Sequence, residues 1–335
     1  MKAMKAAYIH KYGQTKVTLG SLEKPKIEKQ NQVLVKVISA SINPVDIKIQ
    51  QGKLKPLLHF DFPLILGNDY VGIVEQVGNQ VKSVKVGQRV SGRISKKQIG
   101  TFCEYLVDNV ENMAIVPDVI SNEQAAALPL VGLTAYQALF EKMQVKADES
   151  ILIHAGAGGL GSTMIQLAKN SGLKVITTAS AKNHPFLYEL GADLVIDYRT
   201  QDFTQICPPV DYVFDTIGGK TLLDSFKVVK PQGKVVSVSG LPDKKFAQSY
   251  GLNLFWEQAF GLVSRKITKA ATNAQAEYEF LFMKPNGQQL AILFEQLAKH
   301  QLTMQIDRQY DFADIQAALD YVAKGHAKGK VIVKI

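Results

Sequence analysis

Cysteine is scarce in this chain of 335 residues, which contains only Cys103 and Cys207. Two cysteines cannot supply a structural zinc site of four thiolates, and they cannot form a disulfide framework. This usage is typical of a reducing compartment, so we expect a cytoplasmic protein. With 46% hydrophobic and 21% charged residues, the composition also excludes a disordered chain and a collagen.

Long hydrophobic runs are also missing. The N-terminal segment MKAMKAAYIHKYG has no apolar core of signal-peptide length. The most apolar stretch, residues 125–140, is interrupted by Pro129 and Gly132 and is shorter than the ~20 residues that span a bilayer. We therefore interpret this stretch as a buried core segment and expect no membrane partner.

Acidic residues are outnumbered, because 39 Lys and Arg against 30 Asp and Glu give a formal charge of +9. That excess is compatible with nucleic acid, an anionic membrane surface or an anionic small molecule as a partner. The basic residues are scattered, however, and form no run of roughly five to eight. We interpret most of them as solvated surface side chains and expect no nucleic-acid partner. An anionic small ligand is the alternative.

The pattern of the chain changes near residue 120. Residues 1–120 are β-rich, with strand-like segments at 33–42 and 70–78. Residues 121–265 alternate helical spacing with short apolar runs, which predicts a parallel sheet buried on both faces and a doubly wound dinucleotide-type domain. The apolar runs are ILIHA (151–155), KVITTA (174–179), LVIDY (194–198), YVFDT (212–216) and KVVSVSG (234–240).

The last part of the chain, residues 266–335, has a third pattern. Residues 287–300 and 312–324 are spaced as amphipathic helices, and KVIVKI then closes the chain as a strand. A closing strand needs a pairing partner, and we expect that partner in the first domain. The sequence thus predicts an α/β protein whose β-rich domain is built from both ends of the chain, around a doubly wound domain at 121–265.

The strongest local motif is ILIHAGAGGLGSTMIQLAK, in which Gly156, Gly158 and Gly161 form G-x-G-x-x-G with Gly159 as an extra glycine. The motif follows an apolar strand and opens a helix, the context that a dinucleotide site requires. Gly156 permits the tight turn, Gly158 lets the backbone approach a pyrophosphate, and Gly161 allows close contact between helix and strand. The alternative is a flexible glycine turn without a ligand.

The second strand of this domain predicts which dinucleotide binds. An NAD site usually has an acidic residue about 20 residues after the glycine motif, but residues 177–182 read TTASAK and contain no acid. A hydroxyl and a lysine lie where a 2′-phosphate would be. We therefore predict NADP(H), with Ser180 donating a hydrogen bond and Lys182 supplying a charge. An ordinary surface lysine is the alternative for Lys182.

Six segments in order resemble the medium-chain dehydrogenase/reductase superfamily, in its zinc-independent quinone oxidoreductase and alkenal/enone reductase branch. The resemblance covers essentially the whole chain. It implies a GroES-like β domain and a Rossmann domain, with the active site in the cleft between them. The segments are INPVDIKIQQG (42–52), LGNDYVGIVEQVG (66–78), ALPLVGLTAYQAL (127–139), AGAGGLG (155–161), FDTIGG (214–219) and AKGKVIVKI (327–335).

The resemblance also locates missing metal ligands. Zinc-dependent relatives carry a cysteine where this chain has Asn43, and a His-Glu pair where it has Asn68 and Asp69. Amides and one carboxylate do not make the usual catalytic zinc site, so we expect no metal. His59 is the only histidine near these segments, and a lone histidine is more often structural.

Without a metal to polarise an alcohol, hydride transfer to a quinone or an α,β-unsaturated carbonyl is the easier chemistry. Our catalytic candidates are Asn43 as an amide donor, Lys48 as an oxyanion or phosphate ligand, and Tyr70 and Tyr136 as donors or stacking groups. Each has a structural alternative, since Asn43 can orient a loop beside Pro44 and the tyrosines can be packing residues.

Further cofactor contacts follow from the resemblance by position. Thr134 is expected near the nicotinamide, and Tyr198 near the 2′-phosphate. The remaining expected contacts are Gly159, Leu160 and Gly161 at the pyrophosphate, Thr216, Ile217 and Gly218 after the fourth strand, Ser239, Gly240 and Leu241 after the fifth, and Phe282 and Met283 on the returning segment. For Phe282 and Met283 a core role is equally open.

The predicted function is an NADPH-dependent reductase of quinones, enals or enones, which the resemblance implies to be a homodimer. Reduction of an enoyl thioester is the runner-up reaction. A protein that binds NADPH without catalysis and recognises nucleic acid or a partner is a third hypothesis, which the basic charge keeps open.

Overall fold

The computed structural model describes residues 2–55, 57–96, 98–325 and 327–335. Strands and helices in the first part are β1 Ala3–Ile9, β2 Thr18–Glu23, β3 Gln32–Ile42, α1 Pro44–Gln50, β4 Leu64–Ile65, β5 Asp69–Val77, β6 Arg89–Arg93, β7 Tyr105–Asn109, β8 Met113–Ile115 and α2 Asn122–Tyr136. The central part contains β9 Ser150–Ile153, α3 Gly159–Asn170, β10 Lys174–Ala179, α4 His184–Glu189, β11 Leu194–Asp197, α5 Phe203–Ile206, β12 Val210–Asp215, α6 Gly219–Ser225, β13 Val229–Ser237, α7 Lys244–Ser249, α8 Leu254–Val263, α9 Arg265–Asn273 and β14 Glu277–Phe280. The last part contains α10 Gly287–Ala298, β15 Ile306–Asp311, α11 Ile315–Ala323 and β16 Lys330–Lys334.

The chain divides into two compact units. Unit 1 comprises residues 1–133 and 284–335, and unit 2 comprises residues 134–283. In unit 1, β2, β1 and β4 form a small antiparallel sheet, while a larger sheet has the order β15-β16-β3-β5-β6-β8 with β7 also paired to β3. The closing strand β16 lies antiparallel to β3, with Val331 opposite Ile42, so both ends of the chain contribute to this sheet.

Unit 2 is built on one six-stranded sheet in the order β11-β10-β9-β12-β13-β14. Every neighbouring pair is parallel, and Ile151, Leu152 and Ile153 of β9 are fully buried, as expected for a sheet covered by helices on both faces. The strand order reverses between β9 and β12, the position where open α/β sheets bind ligands. The predicted α/β class with a doubly wound sheet is confirmed.

The unit boundaries differ from the expected domain boundaries, which were at 120/121 and 265/266. The first boundary lies after residue 133 because most of α2 is anchored in unit 1. Ser91 Oγ donates to the Ala125 carbonyl at 2.8 Å, and the Leu130 amide donates to Asp69 Oδ1 at 2.9 Å. The second boundary lies after residue 283 because α9 and β14, which follow residue 264, belong with the sheet of unit 2.

Within the described ranges, no helix is both long enough and apolar enough to cross a membrane. The apolar stretch at 125–140 is instead divided between α2 and the π-helical turn Gln137–Met143, and its side chains are mostly buried. This agrees with its interpretation as a core segment.

Candidate active site and nucleotide site

The turn between β9 and α3 in unit 2 has the geometry of a phosphate cradle. A Cβ atom on Gly156 would overlap Thr177 Oγ1, and one on Gly161 would overlap the Ala155 carbonyl oxygen. At Gly158 the nearest atom to such a Cβ is the Ala155 oxygen at 3.5 Å, an ordinary van der Waals distance, so a Cβ there would meet no clash. Two glycines are therefore required by packing, and the third leaves room for a ligand beside the backbone.

The first turn of α3 supplies hydrogen-bond donors to that space. Gly158 is the N-cap in an extended conformation, and the helix begins at Gly159. The first amides of a helix have no carbonyl partner within it, and those of Gly159, Leu160 and Gly161 lie in this turn. Together with the positive end of the helix dipole they fit a pyrophosphate group.

A hydroxyl on β10 holds the start of the glycine turn. Ala155 adopts a left-handed backbone with φ of 57°, and its amide donates to Thr178 Oγ1 at 3.2 Å. The Gly156 amide donates to the Thr178 carbonyl at 3.0 Å. His154 places Nδ1 3.3 Å from Thr178 Oγ1 and Nε2 3.0 Å from Ser225 Oγ. Burial lowers the pKa of His154 to about 4, so this imidazole is neutral at physiological pH and supports the turn.

The carboxyl ends of β10 and β11 meet at one edge because the two strands are parallel neighbours. Ser180 follows β10 and accepts a hydrogen bond from Asn183 Nδ2 at 3.2 Å, while Lys182 is exposed. Tyr198 follows β11 with 59% of its surface exposed, and Arg199 Cζ lies 5.9 Å from its ring centroid. This edge therefore carries hydroxyls, two cations and the Asp197 carboxylate that ends β11, whereas β10 ends without a carboxylate.

One carboxylate ties the ends of β12 and β13 together. Asp215, at the end of β12, is fully buried. Its Oδ1 accepts hydrogen bonds from the amides of Ile217 at 3.0 Å and Gly218 at 2.9 Å, and its Oδ2 accepts one from Ser237 Oγ at 2.6 Å. The turn at 216–218 is thus shaped by a side chain of the preceding strand.

The bonds continue into the turn after β13. Ser237 Oγ accepts from the amides of Ser239 at 3.1 Å and Gly240 at 2.7 Å, and Ser239 Oγ donates to the Thr216 carbonyl at 2.8 Å. We call Asp215, Ser237 and Ser239 the Asp215 clasp. The clasp brings the expected cofactor segments 216–218 and 239–241 together at the carboxyl edge of the sheet.

Unit 1 contains a buried polar network at the start of α1. Asn43 Nδ2 donates to Asp69 Oδ2 at 2.9 Å, and Asn43 Oδ1 accepts from Lys330 Nζ. Lys330 Nζ also lies 3.4 Å from Asp69 Oδ2, and Ser41 Oγ donates to the same oxygen at 2.8 Å. Burial lowers the pKa of Lys330, while the attraction of Asp69 opposes that effect. Lys330 and Asp69 form a buried ion pair joining β16, β3 and β5.

Asp46 forms the second half of this network. Its Oδ2 accepts a hydrogen bond from the backbone N–H of Asn43 at 2.7 Å, and this bond caps α1. Its Oδ1 accepts a hydrogen bond from Asn68 Nδ2 at 2.6 Å. Burial raises the pKa of Asp46 to about 7, although both hydrogen bonds favour its charged form. Asn68 Oδ1 is buried without a hydrogen-bond partner among the described residues.

Two family profiles match two separate parts of the chain. Residues 29–151 match the alcohol dehydrogenase GroES-like domain, and residues 190–333 match the zinc-binding dehydrogenase domain. A chloroplast envelope quinone oxidoreductase homolog from Arabidopsis thaliana is 30% identical over 343 residues, covering 99% of both chains. The chain belongs to the medium-chain dehydrogenase/reductase family. Its predicted GroES-like and Rossmann domains are confirmed.

Two further relatives place the chain in the quinone and alkenal reductase branch of this family. The structure of the quinone oxidoreductase from Coxiella burnetii superposes with a TM-score of 0.85 at 32% identity and covers 100% of both chains. An NADPH-dependent alkenal/one oxidoreductase from Arabidopsis thaliana is 39% identical over 250 residues. That match covers 71% of this chain and 63% of the relative, so this chain spans less than two thirds of that relative's length.

The residues at the ligand positions of zinc-dependent family members do not fit a catalytic zinc. The side chain of Asn43 contacts Asp69 and Lys330, and an ammonium group lies beside that carboxylate. Asn68 donates to Asp46 and offers only an amide oxygen. In the part of the chain that the structure describes, no three His, Cys, Asp or Glu side chains are grouped to hold a metal ion. An oxygen set containing a buried cation is unlike the N/S donor sets of zinc.

The structure places two of the four catalytic candidates, Tyr70 and Asn43, in buried, hydrogen-bonded positions. Tyr70 is fully buried, and its hydroxyl donates to Asp108 Oδ2 at 3.1 Å, so it is a packing residue of the β5 core. Asn43 is 1% exposed. Its side-chain Nδ2 donates to Asp69 and, at 3.4 Å, to the Ser41 carbonyl. The side-chain amide of Asn43 therefore belongs to the buried network, which favours the alternative interpretation that this residue orients the loop beside Pro44.

The other candidates remain predictions. Lys48 is half-buried in the last turn of α1, and burial lowers its pKa. Tyr136 is half-buried near the end of α2, and Thr134 is 4% exposed on the same helix. Met283 is 7% exposed, and the ring of Phe282 packs among aromatic side chains, so both also have a core role.

Sequence reasoning missed Lys330, Asp215 and Thr178. Lys330 opens a closing strand of apolar residues, and Asp215 ends the apolar run YVFD directly before a glycine-rich turn. A charge at the end of an otherwise apolar strand was the available signal for both. Thr178 had no such signal, because a threonine is ordinary in a strand.

We expect Asp46→Asn to stabilise the protein at alkaline pH but not at acidic pH. The pKa of Asp46 is raised in the folded state from 3.8 to about 7, so the folded protein binds more protons than the unfolded chain between these values. Wild-type stability therefore falls as pH rises through this window. A neutral amide does not lose stability in this way, so above pH 7 the variant is expected to have a free energy of unfolding ~1–2 kcal/mol higher than the wild type, after the altered hydrogen bonds are counted. Thermal melts from pH 5 to 8 measure it, and a Tm difference independent of pH would contradict it.

Proposed function

We propose that the protein is an NADPH-dependent reductase of quinones or of α,β-unsaturated carbonyl compounds. The observation that carries the proposal is the carboxyl edge of unit 2. There a glycine cradle, the first turn of α3, the Ser180–Lys182 segment and the Asp215 clasp line one edge of the sheet. The names of the quinone and alkenal/one oxidoreductase relatives support the same class of acceptor.

Each part of this edge has a role in holding the cofactor. The α3 amides and the space at Gly158 would bind the pyrophosphate. Lys182, with Arg199 and Ser180, would bind the 2′-phosphate. Bound NADPH supplies a hydride. The Asp215 clasp fixes the turns that carry Ile217 and Leu241, whose side chains are 53% and 45% exposed and so available to a ligand.

In unit 1 we propose that the ammonium group of Lys48 stabilises negative charge, either on the acceptor oxygen or on a cofactor phosphate. Its lowered pKa reflects partial desolvation, which strengthens an ammonium's interaction with an anion. We further propose that the reaction needs no metal, because the Asn43–Asp69–Lys330 arrangement leaves no suitable donor set. Stoichiometric zinc in the purified enzyme, with activity lost on its removal, would overturn this.

Lys182→Glu is expected to lower the preference for NADPH over NADH roughly tenfold or more, since it replaces a charge-assisted contact with repulsion. Kd values for both dinucleotides, measured by titration, provide the readout. Lys174→Glu is the matched control, because Lys174 is also exposed but begins β10 at the opposite end of the strand. An unchanged preference in Lys182→Glu would contradict the assignment of the 2′-phosphate site.

The acceptor is tested by NADPH consumption with a simple quinone, an alkenal, an enone and an enoyl thioester. Turnover with the quinone or with an alkenal or enone supports the proposal, and turnover confined to the thioester favours enoyl reduction instead. Tight NADPH binding without turnover of any of these compounds would favour the non-enzymatic hypothesis.

We also propose a homodimer in a reducing compartment such as the cytoplasm. Strand β14 ends the sheet of unit 2 in the described structure and is available for pairing with a second copy. Cys103 and Cys207 are both free and buried, which suits reducing conditions. A monomer in light scattering would contradict the first statement.

A further inference from the structure

An apolar surface lies on helix α8 of unit 2. Four of its ten residues are large apolar side chains that are more than half exposed. We call them the α8 patch: Leu254 at 74%, Phe255 at 70%, Leu262 at 71% and Val263 at 52% exposure. Several exposed apolar side chains on one helix indicate a binding surface, whereas single ones do not.

The patch is not needed for packing. Phe260 is 6% exposed and packs against Phe246 of the aromatic cluster, at 6.3 Å between ring centroids. Leu254, Phe255 and Leu262 fall within an arc of about 100° on the other side of the helix. Helix α8 is thus apolar on both sides. On the side away from Phe260, the ring of Phe255 contacts Trp256 of the same helix at 5.4 Å between centroids and is still 70% exposed.

Exposed cations lie on α7 and α9, the helices that precede and follow α8 in the chain. Lys244 lies beside α8, since its Cβ is 3.8 Å from the Cβ position of Gly261, next to Leu262. Glu257 is the only acidic residue within α8, and it accepts a hydrogen bond from Gln248 Nε2 at 3.0 Å. The exposed cations on α7 and α9 are Lys244, Lys245, Arg265, Lys266 and Lys269.

We propose that the α8 patch and its flanking cations dock the protein on an anionic lipid surface. Apolar side chains on the exposed face of a helix enter the interfacial layer of a bilayer, and adjacent Lys and Arg bind anionic headgroups. A second copy of the chain fits less well, because a two-fold contact through this patch would bring the same cations face to face. Docking of this kind brings the enzyme to apolar acceptors dissolved in the lipid.

The experiment is cosedimentation with vesicles of phosphatidylcholine alone or of phosphatidylcholine and phosphatidylglycerol in equal amounts. We expect binding to the anionic vesicles that weakens with added salt. Trp256, the only tryptophan, lies in α8, so its emission is expected to shift to the blue on binding. Lys266→Glu/Lys269→Glu is expected to weaken vesicle binding roughly tenfold or more, and Phe255→Ser/Leu262→Ser comparably.

The matched controls lie in unit 1. Lys82→Glu/Lys85→Glu makes the same change of charge at exposed positions, and Val119→Ser removes an apolar side chain that is 78% exposed. Both are expected to bind vesicles like the wild type, and all variants are expected to keep activity with a water-soluble acceptor. The proposal is overturned if anionic vesicles do not bind, if the controls lose binding equally, or if the α8 substitutions change only self-association or only KM for the acceptor.

Discussion

Gly158→Ala is expected to fold normally and to bind NADPH about 5- to 150-fold more weakly, a loss of roughly 1–3 kcal/mol. The backbone at Gly158 has φ of −74° and ψ of 165°, which alanine adopts without strain. The nearest atom to an added Cβ is 3.5 Å away, so the empty cradle tolerates the methyl group. The methyl group would then occupy the space in which the pyrophosphate approaches the backbone.

Gly161→Ala provides the contrast within the same motif. Its Cβ would overlap the Ala155 carbonyl oxygen and lie 2.7 Å from Gly156 Cα, and both of these are backbone atoms that cannot rotate away. We expect a lower Tm even without cofactor. Titration with NADPH and thermal melts of both variants separate the two effects. Loss of folding in Gly158→Ala, or unchanged NADPH affinity in that variant, would be inconsistent with the cradle.

Asp215→Ala is expected to destabilise the protein by roughly 3 kcal/mol or more and to raise KM for NADPH. The substitution leaves the amides of Ile217 and Gly218 and the hydroxyl of Ser237 without their acceptor. Each buried donor left without a partner costs ~1–3 kcal/mol. Because the same carboxylate shapes the turn at 216–218, loss of stability and loss of cofactor affinity are expected together.

Two variants separate positioning by the clasp from a general loss of stability. Asp215→Asn keeps one oxygen for the two turn amides but presents an NH₂ group to Ser237, so an intermediate effect is expected. Ser239→Ala removes only the 2.8 Å bond to the Thr216 carbonyl and is expected to cost ~1 kcal/mol while still raising KM for NADPH. A normal KM in both variants, measured below their Tm, would show that the clasp has only a structural role.

The glycine turn of unit 2, where we propose the nucleotide site, was largely predictable because its geometry is local. Gly156, Gly158 and Gly161 lie within six consecutive residues, between a strand and a helix that are themselves recognisable from apolar spacing. The absence of an acid near Ser180 is equally local. Parallel pairing of the strands then follows from the alternation of strands and helices, since parallel strands need crossover connections.

The polar network of unit 1 was not predictable in the same way. Asn43 was expected to offer its amide to a substrate, and Tyr70 its hydroxyl, but both side chains are bonded to buried carboxylates. Lys330 also bonds Asn43 and so helps to bury its side chain in the network, and the two residues are 287 positions apart in the sequence. No spacing rule connects the two positions before β16 pairs with β3.

The sequence by itself determined the α/β class, the phosphate cradle and the family, because each depends on contiguous segments whose residue types have one physical use. Tertiary structure alone decided where the units divide, which polar side chains remain available to a ligand, and that α8 presents an apolar face among cations. These properties depend on burial and on the partner of each polar group. Both are set when distant strands pair, so no local pattern contains them.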